Sequence, residues 1–141
     1  MNFMTAIVAG LVGTVFMTLL MMMAPRMGMP KMDVMGMLGT MFTANEGTAK
    51  IIGAIIHFMM GAVFGIIYAL LWSYGIGSDT WFWGIVFGVV HGLITGMMMP
   101  MMVKMNPRSP EMEGGSKALM GMVMGHAVFG LVVALVYAAM T

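Results

Sequence analysis

The stretch IIGAIIHFMMGAVFGIIYALLW, residues 51–72, has no Lys, Arg, Asp or Glu and a single histidine. As a helix rising 1.5 Å per residue it reaches about 33 Å, enough to cross ~30 Å of hydrocarbon. Three further runs have the same character: Phe3 to Ala24, Trp81 to Val103 and Ala118 to Met140. Only 8% of the 141 residues are charged against 61% hydrophobic, too little charge to cover a soluble domain of this size. The pattern predicts an all-α membrane protein, a single transmembrane domain with helices at about 3–24, 50–73, 80–103 and 117–140. Loops 25–49 and 104–116 join them on one side. The first run lacks a basic leader and a small-x-small cleavage site before Pro25, and is longer than a signal peptide core, so it is expected to be a retained helix.

The quoted stretch has a counterpart. His57, Gly61 and Tyr68 recur as His126, Gly130 and Tyr137, each as His-x3-Gly-x6-Tyr at a common offset. The helix before each ends in methionines and a proline, Met21-Met22-Met23-Ala24-Pro25 and Met97-Met98-Met99-Pro100. This reads as a duplicated hairpin: four helices as two tandem hairpins, related by an axis along the membrane normal. Small residues at i+4 spacing line every helix: Ala6, Gly10, Thr14 and Thr18; Gly53, Gly61, Gly65 and Ala69; Gly84, Gly88, Gly92 and Gly96; Gly130, Ala134 and Ala138. Such stripes let membrane helices approach closely, where lipid supplies no hydrophobic drive and packing must hold the bundle.

All six basic residues lie in or beside two loops: Arg26, Lys31 and Lys50 at the first, Lys104, Arg108 and Lys117 at the third. Basic residues near helix ends stay cytoplasmic, so both termini and the Tyr74 to Thr80 turn are expected outside, in a plasma (inner) membrane protein. Tyr68, Trp72, Tyr74, Trp81, Phe82, Trp83 and Tyr137 cluster toward that outer side, as an interfacial aromatic belt would. Met32 to Phe42 predicts a short helix lying on the cytoplasmic face. Thr48, Ser116 and either Ser78 or Asp79 are the expected N-caps of the second, fourth and third long helices.

The three histidines lie on or beside the small-residue stripes and so face the bundle interior. Counted from the basic ends, His57 is roughly 10–12 Å deep, His126 roughly 12–14 Å and His91 roughly 18 Å. An ionisable residue inside a span is a functional-site hypothesis. With no acidic partner nearby, neutral imidazole is expected, the form that binds metals. Each could instead bond Thr14, Thr18, Thr95 or a backbone carbonyl of a neighbouring helix. Of 25 methionines, only Met1, Met4 and Met140 lie toward the outer side. Thioethers suit Cu(I), so His57, His91 and His126, with Met60, Met98 and Met122 as auxiliaries, are the candidate ligands of a soft metal, copper first. Methionine is also an adaptable packing residue, and a methionine face contacting other subunits would read the same way.

No catalytic triad, carboxylate pair or phosphate loop is present, so no enzymatic activity is expected. The absence of cysteine excludes disulfides and thiolate sites, and a net charge of +1 gives no nucleic-acid footprint. Besides the metal-binding reading stand a structural or assembly subunit of a larger membrane complex, a small transporter, and a haem b protein with two axial histidines. Expected partners are the lipid bilayer and either further copies of the chain or other membrane subunits. Through Gly13-Thr14, Met17-Thr18, His57-Phe58 and His126 to Tyr137, the chain resembles a family of small four-helix prokaryotic membrane proteins of unknown function. That resemblance implies no activity, and no ligand role follows from it.

Overall fold

A computed structural model describes residues 1–141. Four long helices, α1 (Phe3–Met23), α3 (Glu46–Ser73), α4 (Trp81–Met105) and α5 (Ser116–Met140), are joined by a 3-10 turn (Ala24–Met27) and a short helix α2 (Val34–Thr40). There are no strands, and all four long helices are long and apolar enough to cross a membrane. Their bounds follow the apolar runs, except that α3 begins a turn earlier than expected. Asn45, not Thr48, caps it: its side-chain oxygen accepts from the Thr48 backbone N–H at 2.9 Å, and Glu46 follows in the first turn, where the helix dipole favours a carboxylate. Asn2 and Asp33 cap α1 and α2 the same way, bonding Thr5 N at 3.2 Å and Gly36 N at 2.8 Å. The expected caps Ser116 and Ser78 or Asp79 do not form. Gly115 precedes α5 at a φ of 91°, Thr80 precedes α4, and neither end carries a side-chain cap.

The two hairpins are α1 with α3 and α4 with α5. Their seams repeat: a Cβ added at Gly10 would overlap the Gly61 carbonyl, and one added at Gly84 would overlap the Gly130 carbonyl. Gly61 and Gly130 are the paired glycines of the duplicated motif. Further along, Gly65 lies against the Ala6 carbonyl and Gly88 against the His126 carbonyl, so backbone meets backbone along both seams. The hairpins join through α1 and α5, where Gly13 meets Phe129 and Val133. The helices therefore form an arc in the order α4, α5, α1, α3. Although α3 and α4 are consecutive, their backbones stay apart.

The aromatic residues depart from the expected interface. Tyr68, Trp72 and Tyr137 are core residues, at most 9% exposed, packed with Phe87 and Phe129; only Tyr74, Trp81, Phe82 and Trp83 remain on the surface. The rings fill space that the glycine-rich seams leave empty on their other sides. The expected short helix forms as α2, within Met32 to Phe42, and it is docked against α3. Met37 is 1% exposed, the Met35 carbonyl sits against Gly53, and Gly39 sits against the Ala49 carbonyl. Asn106, just past α4, secures it: Nδ2 donates to the Met37 carbonyl at 3.0 Å and to Thr40 Oγ1 at 2.9 Å. Because Asn106 is buried, Asn106→Ala removes both bonds made by Nδ2 and leaves the Met37 carbonyl with the Thr40 hydroxyl as its side-chain donor, an expected cost of about 1–3 kcal/mol for two bonds. Faster proteolysis within residues 28–45 would report the loosened α2, and unchanged protection would contradict this role.

Candidate functional site

The close approach of α4 and α5 sets the site. Gly88 and Gly92 have no side chain to hold α5 away, so His91 on α4 comes beside His126 on α5, ring centroids 4.5 Å apart. His126 is buried, and its Nδ1 lies 2.8 Å from the Met122 carbonyl. A carbonyl can only accept, so Nδ1 carries the hydrogen and Nε2 presents a lone pair. The one hydroxyl near Nε2, Thr95 Oγ1 at 3.5 Å, has its hydrogen engaged by the His91 carbonyl at 2.9 Å. Nε2 thus remains an acceptor with no effective donor. The arrangement, one ring nitrogen bonded to a backbone carbonyl and the other free, is the one that orients metal-binding histidines.

His91 is held differently. Its Nδ1 lies 3.3 Å from Tyr68 Oη, and Phe64 covers its ring at a centroid separation of 3.9 Å. Tyr68, read from sequence as an interfacial aromatic, is a positioning residue here. The duplicated motif was its only signal, and the equivalent Tyr137 serves another end, accepting from the Asn2 backbone N–H at 3.1 Å. His57 on α3 is buried and makes no hydrogen bond with the protein. Of the threonines weighed as partners, only Thr95 approaches a histidine. Thr14 bonds the Gly10 carbonyl at 2.8 Å, and the Thr18 hydroxyl is buried without a partner.

His57, His91 and His126 line one small pocket of about 40 Å³, together with Met17, Met60 and Thr95. A larger cavity of about 540 Å³ adjoins it, and all six candidate residues, including Met98 and Met122, are on its wall. Histidines from three helices thus border one pocket, with His91 and His126 in ring contact. No three His, Asp or Glu side chains have the spacing of a ready-made metal centre, so any coordination at this point draws on fewer imidazoles plus thioethers.

A family model described as a family of unknown function (DUF6789) matches residues 1–141. No curated protein and no solved structure matches the chain.

Proposed function

We propose, for a chain that belongs to this family of unknown function over its whole length, an intramembrane binding site for a soft metal ion, copper as Cu(I) first. The observation that carries the reading is the shared pocket: His57, His91, His126 and the thioether residues Met17 and Met60 reach it from α1, α3, α4 and α5. Cu(I) is served by two or three soft ligands, so the His91 and His126 pair with one thioether is a sufficient set. Met122 contributes through its backbone, since its carbonyl fixes the His126 tautomer, and Met98 lines the wider cavity. The site is non-catalytic in this reading: it holds or passes the ion, and no group is poised to transform a substrate. Elemental analysis of protein purified in mild detergent tests it. About one copper per chain, lost when all three histidines are replaced by leucine, is the expected result; a metal-free chain arriving with other subunits in fixed ratio would overturn it.

The same reading includes an orientation, with the loops bearing Arg26, Lys31, Lys104 and Arg108 in the cytoplasm and both termini outside. The positive-inside bias of the six basic residues supports it. Because the chain has no cysteine, Ser78→Cys and Ser109→Cys each introduce a single thiol that can be labelled alone. In intact cells a membrane-impermeant maleimide is expected to label the Ser78→Cys variant and spare the Ser109→Cys variant, and the reverse pattern would invert the topology.

A further inference from the structure

The α3–α4 gap breaks the symmetry of the duplicated hairpins. Its counterpart, the α1–α5 seam, is closed by Gly13 against Phe129 and Val133. Between α3 and α4 stand the rings of Phe64, Tyr68, Phe87 and His91, and the helices diverge around the 540 Å³ cavity. Four residues mark its mouth: Ile67, Val90, Ile94 and Met98 line the cavity and are 37%, 51%, 49% and 44% exposed. All four lie within two apolar spans, more than a turn from either end, so the opening faces hydrocarbon, not water.

We propose that this cavity binds an uncharged, lipid-soluble hydroxyl compound of the phenol or quinol class, which enters sideways from the bilayer and donates a hydrogen bond to His126 Nε2. No Lys, Arg, Asp or Glu lines the cavity, so the carboxylate of a fatty acid or the phosphate of a phospholipid would be buried there without a partner. Of the three histidines on its wall, His57 is unbonded and His91 is bonded only through Nδ1; His126 alone has its tautomer fixed, and its Nε2 is an acceptor whose neighbour Thr95 has already used its hydrogen. A hydroxyl donor satisfies it, and the rings of Phe64, Tyr68 and Phe87 on the wall offer flat surfaces for an aromatic head. A volume of about 540 Å³ is ordinary for a small ligand. This goes beyond the metal reading. Both occupants use the same lone pair, so Cu(I) and the ligand exclude each other.

The full chain in detergent, stripped of metal, is titrated with a decyl-substituted benzohydroquinone kept reduced, and separately with its dimethyl ether. Saturable binding of the hydroquinone, at least about tenfold tighter than the ether that lacks the donor, is expected, with displacement by Cu(I). Ile94→Trp, which fills the mouth, is expected to abolish hydroquinone binding and leave copper stoichiometry unchanged; Val90→Phe repeats the test should the first variant misfold. Equal binding of the ether, hydroquinone binding indifferent to both mouth variants, or phospholipid retained in place of hydroquinone in native mass spectrometry would overturn the proposal. A chain that takes the hydroquinone but no copper keeps this site and removes the metal reading. A chain that takes copper but no hydroquinone does the opposite.

Discussion

His126→Leu is expected to weaken Cu(I) binding by well over 100-fold, measured by competition with a chromogenic Cu(I) chelator in detergent. Of the three imidazoles, His126 is the one whose tautomer the structure dictates, since the Met122 carbonyl at 2.8 Å takes the Nδ1 hydrogen and leaves Nε2 free. Loss of an outer-shell partner alone costs about 10- to 100-fold in metal affinity, and removing the ligand itself must cost more. Thr95→Val provides the comparison. It removes a hydroxyl that stands 3.5 Å from Nε2 with its hydrogen committed elsewhere, so a change below about tenfold is expected. A His126→Leu protein that competes for Cu(I) as well as the unaltered chain would move the site away from the α4–α5 pair.

Gly92→Leu is expected to remove at least about 3 kcal/mol of bundle stability, above the usual cost of an overpacked core position. Even its Cβ would lie 2.6 Å from Val123 Cα and 2.9 Å from the Met122 carbonyl oxygen, backbone atoms that move only if α5 moves. It would also lie 3.1 Å from His126 Cβ, so any relief shifts the candidate ligand with it. Gly96→Ala one turn on meets mainly the end of the Leu119 side chain, which can turn aside, and is expected to cost under about 1 kcal/mol. Thermal unfolding in one detergent compares the pair. Equal midpoints would contradict the backbone-to-backbone contact at Gly92.

The agreement between these seams and the sequence has a simple origin. Glycine at i+4 spacing on an apolar helix leaves one narrow stripe where another backbone can approach, and the stripe itself states which face is inward. That is why Gly61 and Gly130, found first as members of a repeated motif, lie at equivalent contacts in the two hairpins, and why histidines beside the stripes reach the interior. Aromatic residues carry no such directional information. Tyr68, Trp72 and Tyr137 satisfy an interfacial reading and a core reading equally, and the core took them because gaps beside glycine needed volume. Docking of α2 was hidden for a related reason: it depends on Asn106, some 66 and 69 residues from its partners Thr40 and Met37, a separation with no local signature.

The helical class, the four spans and the inward faces were determined by the sequence alone, because length, hydropathy and residue spacing along one helix decide them. The arc that leaves α3 and α4 apart was decided by the tertiary structure. Both halves of the duplicated motif offer similar small-residue stripes, and only the volumes of Phe64, Tyr68 and Phe87 meeting across the gap make one seam close and its counterpart stay open. The free Nε2 of His126 has the same origin, since a tautomer is chosen by the atoms that surround the ring in space and not by its neighbours in the chain.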